Sequence, residues 1–211
     1  MPGTDLSELR ERACHCRNCH LWAGATQTVF GEGPPAAAIL FVGEQPGDQE
    51  DLRGRPFVGP AGQLFDRALA EAGIDRARVY VTNAVKHFKF ERRGKRRIHQ
   101  KPDHKEVLAC RPWLEGELAA VAAPVVVALG ATAAHALIGR AVTIGRVRGR
   151  FQPYPPDRHL LVTVHPSFLL RVPDERVQAT ERRRFVEELR LIAEGPGAAT
   201  RQRQPARNSL L

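Results

Sequence analysis

Ala38-Ile-Leu-Phe-Val-Gly43-Glu-Gln-Pro-Gly47 is the stretch whose reading decides the fold. An unbroken short apolar run reads as a strand buried on both faces, and the glycine and proline behind it end the strand in a loop. Ala61–Ala72 follows with the apolar spacing of a helix, which Gly73 stops. The same unit recurs outward from there. Val79–Val85 is strand-like, a basic loop follows it, and Asp103–Ala122 is helical with a break near Pro112, a residue suited to a first helical turn. Val125–Leu129 leads into an alanine-rich helix over 131–138, His159–Val164 is the fourth apolar run, and Asp174–Ala193 is the last helix. This alternation predicts an α/β fold: a three-layer α/β/α sandwich around a mostly parallel, four-stranded sheet. Ligands of such sheets bind beyond the carboxyl ends of the strands. Gly43–Gly47, Asn83, Gly130 and His165-Pro-Ser167 occupy those ends, so four loops can converge on one pocket.

The 211 residues, 43% of them hydrophobic, can bury one sizeable core. One domain is expected over 1–194, followed by a disordered tail over 195–211 rich in Gly, Pro, Arg and Gln. The sequence shows no apolar run long enough to span a bilayer and no signal-like apolar segment near Met1, so a soluble, cytoplasmic and monomeric protein with no membrane partner is expected. The net charge of +9 is local: Lys86–Lys105 holds nine basic residues against Glu91 and Asp103. On charge alone that stretch fits a polyanion partner or a solvated basic loop equally well.

Four cysteines are present, and Cys14, Cys16 and Cys19 crowd together while Cys110 stands apart. In a cytoplasmic chain, metal or cluster ligation is the commoner use of such a group than a disulfide. A second close pair is missing, which argues against an ordinary four-cysteine zinc ribbon.

Six segments then fall in a specific order: GEQPGDQED from Gly43, GRPFVGPAG from Gly54, VTNAVK from Val81, CRPWLEGEL from Cys110, VVVALG from Val125 and HPSFLLR from His165. Over residues 14–190 the chain resembles the iron-sulfur branch of the uracil-DNA glycosylases. Gln45, where hydrolytic members of that branch usually carry Ala, and the run Lys95-Arg-Arg-Ile-His99 are similar to the UdgX subgroup, whose members become trapped on DNA.

The resemblance implies a partner, uracil-containing DNA with the uracil flipped out of the stack. It implies that Phe57 stacks on the base and Asn83 pairs with its imide edge, with Gly43, Gln45, Gly47 and Asp48 lining the pocket. Bond cleavage leaves negative charge on uracil and positive charge on the sugar. His165 is therefore expected to donate to uracil O2 and Glu44 to face the sugar. His99 is the expected nucleophile at C1′, giving a persistent covalent adduct and one turnover. Lys95, Arg96, Arg97, Ser167 and Arg171 are expected at phosphates. A 4Fe-4S cluster is implied on Cys16, Cys19, His87 and Cys110, with Cys14 as the rival to His87; imidazole replaces thiolate on iron in Rieske centres. Two other readings stay open: a conventional glycosylase that turns over, and a non-catalytic, zinc-stabilised nucleic-acid binding module. A nucleotide-binding protein is disfavoured, because neither a P-loop nor a G-x-G-x-x-G fingerprint follows the first strand.

Overall fold

A computed structural model describes residues 5–196 of the chain. The expected tail lies outside the described residues except for Gly195 and Pro196. In chain order the elements are α1 (Leu6–Cys14), β1 (Ile39–Gly43), α2 (Asp48–Arg53), α3 (Pro60–Glu71), β2 (Val79–Asn83), β3 (Phe90–Arg93), β4 (Arg96–His99), α4 (His104–Ala120), β5 (Val125–Leu129), α5 (Ala131–Ile138), α6 (Ile144–Val147), β6 (Phe151–Tyr154), β7 (Arg158–Thr163), α7 (Pro166–Leu169) and α8 (Glu175–Glu194). Among these no helix is long and apolar enough to cross a membrane.

The main sheet has the order β2-β1-β5-β7-β6. The four expected strands pair in parallel, and β1, β2 and β5 are buried at every position. The expected count of four is corrected to five, because β6 adds an antiparallel edge to β7. Its Phe-Gln-Pro-Tyr sequence contains a proline, and an edge position tolerates one. One face of the sheet packs Phe41, Val81, Val127 and Leu161 against α3 and α8 through Phe65, Leu69, Phe185 and Leu189. The other packs Leu40, Val42, Val126 and Leu160 against Leu114 and Leu118 of α4. Alternate residues of each strand thus feed opposite layers.

Two further expectations change. The basic stretch is not an irregular loop: Phe90–His99 folds as an antiparallel hairpin that pairs Phe90 with His99 and turns at Gly94 and Lys95. Helix α4 is not broken at Pro112, which lies inside it. The proline removes one amide donor, but Pro112 is on the exposed side and Leu108, whose carbonyl loses that partner, is also exposed, so water can replace the bond. Burial of Val107, Cys110, Leu114 and Leu118 then holds the helix continuous.

Candidate active site

Parallel register sets the strand ends level, with Gly43 beside Asn83 and Leu129 beside Thr163. The loops beyond them enclose a crevice of about 690 Å³. Its wall includes Glu44, Gln45, Gly47, Phe57, Asn83, His99, His165, Ser167 and Arg171. Residues drawn from five separate segments of the chain are thereby brought together.

Phe57 is buried in a left-handed backbone conformation with φ of 57°. For a bulky side chain that is a strained geometry, held only where the surroundings enforce it. Gly62 allows it, since a Cβ there would meet the Phe57 carbonyl. Gly43 does the same for the pocket floor, where a Cβ would strike Asn83 Oδ1 and the Phe57 ring. Glu50 locks the two loops together by accepting from Gly47 N at 3.0 Å and Gly59 N at 2.6 Å. Neither Glu50 nor the strain at Phe57 was legible in the sequence.

The imidazole of His165 has a defined orientation. Its Nδ1 accepts from Ser167 N at 3.1 Å and lies 2.8 Å from Ser167 Oγ. A neutral ring whose Nδ1 accepts carries its proton on Nε2, which is then the donor available to a ligand. Burial, with Arg171 and His99 acting in the same direction, pushes the His165 pKa down to about 4. The ring is therefore a neutral donor at pH 7. Ser167, expected at a phosphate, sets this tautomer.

Glu44 accepts from Thr132 Oγ1 through Oε2 and turns Oε1 toward His99 Nε2 at 3.4 Å. Burial holds the His99 pKa below the ordinary histidine value, with Glu44 acting in the opposite sense and Arg171 in the same one. A neutral imidazole beside a carboxylate has an available lone pair.

Several expected contacts lie elsewhere. Gln45 lines the crevice, yet its amide is taken up by the hairpin base, donating to Lys89 O at 3.1 Å and Gln100 O at 3.0 Å and accepting from Lys89 N at 3.2 Å. Arg97, read with Lys95 and Arg96 as a phosphate contact, is corrected to an internal clamp. Its Nε donates to Asp48 Oδ1 at 2.6 Å and its Nη1 to Asp51 Oδ2 at 2.5 Å, and its guanidinium stacks over Phe88 and Phe90. Asp48 is thereby committed to Arg97 and does not line the crevice. Lys95 and Arg96 are exposed at the hairpin tip.

Cys16, Cys19 and Cys110 approach closely enough for a charge on either of the first two to raise the Cys110 pKa, although burial is the main cause there. Trp113 Nε1 donates to Cys16 Sγ at 3.1 Å and Lys86 N to Cys110 Sγ at 3.2 Å, contacts that suit thiolate sulfur. His87 Nε2 is 2.9 Å from Thr28 Oγ1, so ligation by His87 would fall to Nδ1. Cys14 is exposed at the end of α1. Among the described residues no three His, Cys, Asp or Glu groups are gathered tightly enough to hold a metal as they stand.

A crevice at the carboxyl edge of a parallel sheet that gathers the Phe57 ring, the Asn83 amide, the imidazoles of His99 and His165 and the Glu44 carboxylate is the arrangement of an α/β enzyme's active site. Residues 30–190 match the uracil DNA glycosylase superfamily. The chain is 40% identical over 162 residues to a type-4 uracil-DNA glycosylase of Thermotoga maritima, covering 76% of this chain and 81% of that protein. It is 34% identical over 179 residues to the type-4 enzyme of Sulfurisphaera tokodaii, covering 81% and 78%, and 32% over 192 residues to that of Saccharolobus solfataricus, covering 87% and 86%. The chain belongs to the uracil DNA glycosylase superfamily.

Proposed function

We propose that the protein excises uracil from DNA. The observation that carries this reading is the single crevice that sets Phe57, Asn83, Glu44 and a His165 with its proton on Nε2 around one ligand volume. A flipped uracil would stack on Phe57 and offer its imide edge to Asn83. As the C1′–N1 bond breaks, its electron pair passes into the ring, and His165 Nε2–H donates to the charge developing on O2. Glu44 stabilises the positive sugar. The names of the relatives support uracil as the base and a glycosylase over the non-catalytic zinc module. Lys95, Arg96 and Arg171 are the phosphate contacts we retain.

The fate of the sugar has two readings. The relatives' names favour hydrolysis with turnover, in which Glu44 orients water. The Glu44–His99 contact favours a second: an imidazole lone pair forms the bond to C1′, the ring proton leaves to Glu44, and the product stays attached. One experiment tests both. The protein is incubated with a uracil-containing oligonucleotide, then denatured and run on a gel beside an assay for free uracil. Uracil released in excess over protein means turnover. A heat- and detergent-resistant band of protein stoichiometry that His99→Ser converts to turnover means capture. No released uracil overturns the proposal.

Cys16, Cys19 and Cys110, with His87 as fourth ligand, would hold a 4Fe-4S cluster. When bound, it would staple the segment after α1 to α4 and the hairpin base. The two N–H donors on Cys16 and Cys110 support this assignment. Anaerobically purified protein should be brown with about four irons per chain; zinc in place of iron would refute it.

A further inference from the structure

Beneath Asn83 lies an ion pair that the proposed chemistry does not touch. Lys86 and Glu117 are 1% and 0% exposed in their side chains and lie 2.5 Å apart. Lys86 Nζ uses its three protons on three acceptors: Glu117 Oε2, Thr82 Oγ1 at 2.7 Å and the main-chain carbonyl of Asn83 at 2.7 Å. Glu117 is held in turn by Gly31 N at 2.9 Å, Tyr80 Oη at 3.1 Å and Thr82 Oγ1 at 2.9 Å. Neither charge lines the crevice. A buried pair of this kind is not needed for stability as such, since well-packed apolar residues commonly serve as well. What it supplies is a fixed geometry.

That geometry acts where β2 stops. Asn83 is the last residue of β2, and its carbonyl is one of the three acceptors of Lys86. Gly43 backs the side-chain amide, and Ala84 N donates to Gly43 O at 2.9 Å. The peptide carrying the amide is thus pinned from below by Lys86 and from the side by β1. Lys86 also donates its main-chain N–H to Cys110 Sγ at 3.2 Å, which ties the same strand end to the middle of α4.

We propose that Lys86, oriented by Glu117, is a positioning residue that fixes Asn83 in one base-reading orientation and couples it to α4. This rests on the reading of Asn83 as the uracil-binding amide. Lys86→Met alone leaves a buried carboxylate unpaired, so the informative variant is Lys86→Met/Glu117→Gln. The glutamine keeps an acceptor for Gly31 and Tyr80 and a donor for Thr82, so of the three bonds made by Lys86 Nζ the tie to the Asn83 carbonyl is the one left without a replacement.

Three measurements are made on the full chain: the thermal midpoint, the inhibition constant of free uracil in the excision assay, and affinity for uracil-free DNA. The expected result is a folded double variant with an unchanged affinity for uracil-free DNA and free uracil weakened about tenfold, as for a site that loses preorganisation. An unchanged uracil constant, a parallel loss of all three, or a double variant that does not fold would each overturn the proposal. If the wild-type protein releases no uracil, the functional reading has failed, and the device is judged by NMR of the Asn83 side-chain amide. One sharp pair of resonances that broadens in the double variant supports positioning; an unchanged pair overturns it.

Discussion

The two ends of the crevice are built alike and differ in how dry they are. At one end Thr82 precedes Asn83 on β2 and donates to the buried Glu117 of α4, which holds Lys86. At the other Thr163 lies two residues before His165 on β7 and donates to the buried Glu188 of α8, which holds Arg148. The first network lies on the α4 face of the sheet and the second on the α8 face. Lys86 and Glu117 have no second charged partner among the described residues, whereas Arg148 also pairs with Glu181 at 2.6 Å and Glu188 also pairs with the half-exposed Arg184 at 3.2 Å. Arg148, Glu181 and Arg184 line the crevice, so water reaches that network. Asn83, the proposed reader of the base edge, thus sits over a closed support, and His165, the proposed donor to the developing charge, sits near one that can exchange partners.

The largest expected effect breaks the closed support. Lys86→Met should cost about 3–5 kcal/mol in denaturant unfolding, because it strands a buried carboxylate. Arg148→Met should cost about 1–2 kcal/mol, an ordinary single-substitution loss, because Glu188 keeps Arg184 and solvent. Equal losses would erase the contrast drawn here.

Next in size is the donor itself. Removing Nε2–H by His165→Leu should lower kcat about 10²–10³-fold, the effect of deleting one donor to a developing oxyanion. Single-turnover excision measures it. Ser167→Ala should have a smaller effect in the same direction, since the amide of residue 167 still donates to Nδ1.

The pH dependence follows from the same ring. A histidine whose pKa falls from about 6.5 unfolded to about 4 folded adds nothing above the unfolded value, where both states are neutral. As pH drops below 6.5 the unfolded state takes up the proton first, so stability falls until the folded pKa is passed. The loss between pH 6.5 and 5.5 should be about 1 kcal/mol for this residue, and His165→Leu should remove that share from the pH–stability curve. A variant with the unaltered slope would move the titration to another group.

The smallest effect concerns the hairpin. Gln45→Ala removes three hydrogen bonds at its base and should destabilise the fold by about 1 kcal/mol. Hydrogen exchange should speed up at the amides of β3 and β4 while Asn83 stays protected. Faster exchange at both would mean that the two regions are one cooperative unit.

Sequence alone determined the four parallel strands, because runs such as Val125–Leu129 are apolar at every position and have few other ways to be satisfied. It also placed Glu44, Asn83 and His165 at one edge, since a parallel sheet delivers the ends of its strands to one side, while Phe57 and His99 joined them only through the family resemblance. What it could not decide is which polar side chain answers which. Arg97 and Arg96 are identical as residues, yet one is enclosed by Asp48 and Asp51 while the other meets solvent, a difference set by the alternation of β4 and by where α2 docks. Gln45 stands in the glycine loop beside Glu44, but its partners at residues 89 and 100 lie far along the chain, as do Glu117 for Lys86 and Glu188 for Arg148. Local pattern fixes burial and direction; the pairing of buried charges depends on which helix covers which face, and only the assembled layers decide that.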